Sequence, residues 1–212
     1  MRTVSLLLLL PLTLSAQTPA QVCEGIRILN VGIWAEYELV GMEAGVLPTR
    51  MWNAIVGTER RGDTTFWWHE SDIEADEGSL IIQSLVPGYP FNARQVHGIV
   101  MKMGEEPPTR MPDYMLEMMR QQDAPSEMAY LSAEECAQSE DLGWEEVATP
   151  AGTVRAWHAR AALEDGDHVD VWMSPAVPFG IVRLVGAGVT LTLQGHGTDA
   201  RSRITESPRE IP

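Results

Sequence analysis

His158, His168 and Asp170 are the densest group of side chains in this chain whose types could do chemistry. Two imidazoles and a carboxylate can hold a divalent metal or work as a general base. With His196, in the Gly195-His196-Gly197 turn, they would make a metal-dependent hydrolase. Against that, Arg160 lies between the histidines and offers Asp170 a partner, so the ordinary reading is a solvated polar sheet face. His69 opens a second group, with Glu70, Asp72, Glu74 and Asp76 following at alternate positions. Alternate carboxylates could grip calcium, but a calcium loop wants its glycine earlier and a bidentate acid further on. Here the glycine is Gly78 and Gln83 fills the later position. These acids read as solvated edge or loop charges, which also discourage pairing between sheets.

Six methionines between 101 and 119 could bind Cu(I) with His97 as partner, but no dense Met-x-x-Met or His-Met run supports a metal. Nucleophilic and phosphate chemistry leave no trace either. The chain has no Gly-x-Ser-x-Gly elbow, no phosphate loop and no His-Glu-x-x-His. The expectation is a protein without catalytic residues, metal or cofactor.

Apolar side chains suited to binding are more plentiful. Trp67 and Trp68 are adjacent on a strand, so one of them faces outward or into a cavity. Met111, Met115, Met118 and Met119 recur at helical spacing, and flexible thioethers suit an adaptable apolar surface. Together with Trp157 these six residues are the candidate ligand-binding set, an aromatic and thioether groove for an apolar molecule. Ordinary core packing is the competing reading for each of them.

The elements that must position these residues begin after a leader. Met1-Arg2, the apolar run Val4 to Leu14 and the Leu14-Ser15-Ala16 site have the layout of a secretory signal peptide, too short for a membrane span. That places the mature chain in the periplasm or outside the cell. The residue run Ala20-Gln21-Val22 before Cys23 departs from a lipid-attachment signal at two positions, which predicts a soluble rather than lipid-anchored protein. Cys23 and Cys136 are the two cysteines; neither sits in Cys-x-x-Cys or near a histidine at ligand spacing, so a disulfide between them is expected. Without residues 1–16 the chain has 14 basic and 30 acidic residues, a net charge of −16. Such a surface repels nucleic acid and anionic membrane. Lys102 is the lone lysine, and the arginine bias reads as genome base composition rather than function.

Residues 17–29 form an N-terminal segment, and 30–205 a single β-rich domain. Residues 104–148, with a local charge of −10 and four prolines, read as an acidic loop and helix insertion, and 206–212 as a frayed tail. Val31 to Val40, Arg50 to Glu59, Thr64 to Glu70 and Gln95 to Met103 read as strands, and Leu80 to Val86 as a strand or short helix. Pro112 to Gln122 is the one convincing helix. Thr153–Leu163 and Asp167–Met173 make a hairpin closed by a glycine bulge at Gly166, which sets Arg160 opposite Asp170 and His158 opposite Trp172. Gly180–Gly186 and Val189–Gln194 make a second, tighter hairpin. The fold class is mainly β: a curved antiparallel sheet or half-open barrel with one short amphipathic helix packed on it.

Thr149-Pro150-Ala151-Gly152-Thr153, then Val171-Trp172-Met173-Ser174 and Val177-Pro178-Phe179-Gly180, resembles a pattern in uncharacterised secreted bacterial β proteins. That group is similar in architecture to the LolA/LolB-type periplasmic lipoprotein carriers. The resemblance implies an incomplete antiparallel barrel closed by helices, with an apolar face for acyl chains. It implies a partner that is an apolar or lipid-like ligand, or a lipidated envelope protein. No ligand-contacting residue carries over. An envelope interaction module and the hydrolase remain the alternative functions.

Overall fold

A computed structural model describes residues 18–41, 49–75, 78–121, 136, 138–162, 167–186 and 188–210. The leader over 1–16, the turn at 163–166 and Gln122 lie outside the described residues. Among the described residues, twelve strands form one open, curved sheet. In chain order they are β1 Trp34–Gly41, β2 Thr49–Arg61, β3 Thr64–Ala75, β4 Gly78–Val86, β5 Gly98–Met103 and β6 Thr109–Arg110. Then come β7 Glu140–Thr149, β8 Gly152–Ala162, β9 His168–Met173, β10 Ile181–Gly186, β11 Val189–Gly197 and β12 Arg209–Glu210. Their order across the sheet is β12-β6-β5-β4-β3-β2-β1-β11-β10-β9-β8-β7. Neighbours are antiparallel except β12, which runs parallel to β6.

Alternation in the sequence becomes two faces in the sheet. Ala35 and Tyr37 of β1 are buried, with Ile55 of β2 and Leu191 and Leu193 of β11 in the same core. The β8–β9 hairpin has the register expected from a glycine bulge: Trp157 faces Met173, His158 faces Trp172, and Arg160 faces Asp170. Trp157, Ala159, Val169, Val171 and Met173 are buried on one face. The β10–β11 hairpin pairs Gly186 with Val189 and Leu184 with Leu191, as a two-residue turn requires. Register shifts at Glu36/Tyr37, Ile55/Gly57, Asp141/Gly143 and Ile181/Arg183 mark bulges, which bend and twist so long a sheet.

Among the described residues, two α-helices cover the core face. α1, Pro19–Gly25, starts at an N-cap Thr18 whose hydroxyl accepts from Gln21 N–H while the Gln21 side chain accepts from Thr18 N–H. This helix was not legible in residues 17–29. Its Val22, Cys23 and Ile26 pack on Trp157, Ala159, Val171 and Met173, and Cys23 is joined to Cys136 with Cα atoms 6.1 Å apart. Gly180 lets the loop after β9 approach α1: its φ is +80°, and a side chain there would stand 2.2 Å from Ile26. α2, Asp113–Gln121, covers the other end, near β5.

Three expectations are corrected. Residues 104–148 are not all loop and helix, because β7 occupies 140–149 and pairs along β8. The tail is not frayed up to residue 210: β12 pairs with β6, and Glu206 forms an ion pair with Lys102 at 2.7 Å. Of the acids after His69, Glu70 and Asp72 are buried rather than solvated, because β3 lies between β2 and β4 in the middle of the sheet; Glu74 is exposed, and Asp76 lies outside the described residues.

The disulfide closes a chain separation of 113 residues, which in the chain-entropy model contributes about 4–5 kcal/mol. The double variant Cys23→Ser/Cys136→Ser should lose most of that in urea unfolding. A loss under about 1 kcal/mol would show that the covalent tie is not what holds α1 on Trp157.

Candidate functional site

On β3, successive residues point to opposite faces, and each face has its own chemistry. Glu70 and Asp72 lie on the outer face yet are 0% and 5% exposed. The C-terminal segment covers them. One Glu70 oxygen accepts from Gln83 Nε2 and Ser202 Oγ at 2.7 Å each, and the other from Arg203 N–H at 2.8 Å. Asp72 accepts from Ser79 Oγ at 2.7 Å and pairs with the Arg203 guanidinium. Arg203 also lies over the Trp52 ring, 4.1 Å from its centroid. Further back, Trp34 Nε1 donates to Asp199 and Ala200 N–H to Gly32 O. Residues 199–210 therefore run as a strap across the sheet from β1 to β6, with the buried carboxylates as its fastening. Their bonding is complete, so they form no free acid or ligand set.

The inward face of β3 carries Trp67, His69, Ser71 and Ile73, aligned with Ile55, Asn53 and Met51 on β2. His69 is 3% exposed and lies among three rings: Phe91 at 5.2 Å, Phe179 at 5.5 Å and Tyr89 at 6.4 Å between centroids. Its Nε2 is buried and, among the described residues, has no hydrogen-bond partner. Burial lowers its pKa from 6.5 to about 4, so the imidazole is neutral at pH 7. Beside it Ser71 donates to Asn53 Oδ1 at 2.6 Å, and both are buried. The central apolar face thus contains a short, uncharged polar strip. Sequence reading noted His69 only as the start of an acidic run. The usable signal was its place two residues from Trp67, which gives it the inward face.

Candidate binding residues divide between faces and clusters. Trp67 points inward and packs with both the main core and the α2 cluster, as Phe91 does. Trp68 points to the outer face, with the Arg110 guanidinium over its ring at 5.9 Å. Met111 and Met119 pack around Leu116, Val86, Val96 and Ile99. Met115 and Met118 do not: they are 38% and 57% exposed, and Leu116 at 2% is the buried residue of α2. At roughly 100° per residue Met118 is about 200° round the helix from Leu116, so the two cannot share a contact face. Trp157 is buried in the α1 cluster, with β8 far across the sheet order from β5, and its Nε1 donates to Asp141 at 2.6 Å. The structure brings Trp67, Met111 and Met119 together and leaves Trp68, Met115, Met118 and Trp157 elsewhere.

On the outer face His158 stacks on Trp172 with centroids 4.2 Å apart, and its ring nitrogens lie 3.2 Å from Glu145 and 3.3 Å from Asp170. Arg160 holds Asp170 through two bonds of 2.9 and 3.2 Å, and that guanidinium, then the His158 contact, keeps the Asp170 carboxyl below its usual range. His168 faces Ala162, not His158. Among the described residues no three His, Cys, Asp or Glu side chains form a group that could hold a metal ion.

No protein-family model matches the chain, and no curated protein matches it. Among solved structures it is similar to a crystal structure of a "putative lipoprotein" from Parabacteroides distasonis. The two share 10% identity over 81% of this chain and 98% of that one, with a TM-score of 0.40. Among the described residues no helix is long and apolar enough to cross a membrane.

Two measurements follow. Glu70→Ala leaves the Arg203 amide and the Ser202 hydroxyl with lost bonds in a buried place, which should cost about 3 kcal/mol and open the strap to carboxypeptidase. Unchanged stability with an intact C-terminus would show that the carboxylate does not fasten it. For His69 the unfolded chain binds the proton more readily, with a pKa of 6.5 against about 4 folded. Its contribution is fully present above pH 6.5 and is lost as pH falls through 4, amounting to about 3 kcal/mol. His69→Phe should flatten stability against pH between 6.5 and 4. An unchanged slope would mean that His69 is not buried neutral.

Proposed function

We propose that this protein is an extracytoplasmic, non-enzymatic binding protein that takes an apolar, lipid-like ligand, or the lipid chain of a partner, under α2. One observation carries the reading: α2 rests on the end of the core face through Leu116, flanked by the half-buried thioethers Met111 and Met119. Arg120 ties this helix to the Val96 carbonyl at 2.8 and 3.0 Å, and around that tie the flexible thioethers can repack to admit an entering chain. Beneath it Val86, Val96 and Ile99 supply apolar contact, and Trp67 and Phe91 continue it into the main core. The Cys23–Cys136 bond suits an oxidising compartment, in keeping with the leader. A periplasmic carrier role of the LolA/LolB kind is the functional analogy this arrangement suits best, and analogy of fold alone does not supply function.

A second reading has its own observation. Tyr114, Met115 and Met118 expose apolar surface on the solvent side of α2, and a contiguous exposed patch marks a docking surface for another envelope protein.

Adjacent methionines separate the two. Titration with an acyl-chain fluorophore should shift tryptophan emission in the exported protein, whose mass should show residues 1–16 removed. Met119→Asp should weaken that response at least tenfold, while Met118→Asp leaves it unchanged. Absence of any response in the wild-type chain removes the carrier reading and leaves the docking one.

A further inference from the structure

His69 has a physical cost that its surroundings do not repay. An unpaired buried polar atom disfavours the fold by roughly 1–3 kcal/mol, and an apolar side chain of similar shape would remove that cost. Yet Nε2 is left open where the apolar core face turns polar, beside Ser71 and Asn53. The three rings around it are not a closed shell of their own. Phe91, 5.2 Å from His69, and Trp67, the next inward residue of β3, both belong to the α2 cluster as well as the main core. A chain entering under α2 would meet Trp67 and Phe91 first and His69 next.

Charge decides what kind of head group fits. The buried carboxylates Glu70 and Asp72 lie on the opposite face of β3, and Asn53 and Ser71 are neutral. The lowered pKa of His69 has burial as its cause, with no charged neighbour contributing. A carboxylate or ammonium brought here would lose its hydration without gaining a counter-charge. A hydroxyl or carbonyl would gain one hydrogen bond, and neutral imidazole can donate or accept according to its tautomer.

We infer that His69 is the polar anchor of the ligand site: its Nε2 makes one hydrogen bond to the uncharged head of a single-chain amphiphile whose tail lies along Trp67 and Phe91 toward α2. This rests on the carrier reading and adds to it the class of head group. The site selects neutral amphiphiles over fatty-acid anions and over cationic ones.

The test displaces the acyl-chain fluorophore from the full exported protein at pH 8 with 1-decanol, decanoate and decyltrimethylammonium. Decanol should compete at roughly tenfold lower concentration than either ion, although the acidic protein attracts the cation. His69→Phe should weaken decanol roughly three- to tenfold relative to decyltrimethylammonium, the range of one hydrogen bond. Decanol should also move the ¹⁵N resonance of His69 Nε2 in the wild-type chain, a readout that needs no variant to fold. Equal competition by all three, or an unmoved Nε2 resonance, overturns the anchor while the carrier reading stands. A wild-type chain that binds no fluorophore overturns both.

Discussion

A charge buried in the middle strand governs how this sheet is finished. Glu70 is fully buried, so its carboxylate must be met by donors or the fold would not tolerate it. Gln83 comes from the neighbouring strand, but Ser202 and Arg203 come from more than 130 residues away. Satisfying one side chain therefore fixes the path of the C-terminal segment over β2, β3 and β4. The same path brings Glu206 to Lys102 and sets Arg209–Glu210 beside β6. With the outer face of the central strands covered, the inward face is free to be apolar and to receive both helices.

Arginine does a second job along the sheet that base composition would not suggest. Arg61 lies over Phe66, Arg110 over Trp68, Arg155 over Trp144, Arg183 over Trp172 and Arg203 over Trp52, with distances to the ring centroids from 4.1 to 5.9 Å. A planar, weakly hydrated guanidinium can lie on a ring and still bond to a carboxylate, as Arg203 does with Asp72. A lysine ammonium serves this less well. Of the tryptophans that looked in the sequence like a binding surface, Trp68 is a ring already covered by a cation.

What could be read from the sequence was local. Both C-terminal hairpins followed from turn chemistry and alternation, down to Arg160 opposite Asp170, because partners ten residues apart leave their pairing in one short window. The two cysteines paired because each had no other chemistry available. The misread parts depend on distant partners. Glu70 and Asp72 look like solvent charges until Ser202 and Arg203 are placed on them. The β7 strand, rich in acids, is a strand because β8 pairs along its length. On α2 the methionines drew attention away from Leu116, although the buried stripe centres on it. His69 was hidden by its neighbours in sequence, which lie on the other face.

An open sheet has two ends, and this one ends differently at each. On one side the last ladder is two residues long, too short to template a further strand. On the other, β7 offers ten residues of backbone with Glu140, Asp141, Glu145 and Glu146 exposed along it. Two copies meeting along that border would set carboxylate against carboxylate, a repulsion strongest at low ionic strength. Among the described residues this border is unpaired, and its carboxylates keep copies of the chain from polymerising into ribbons.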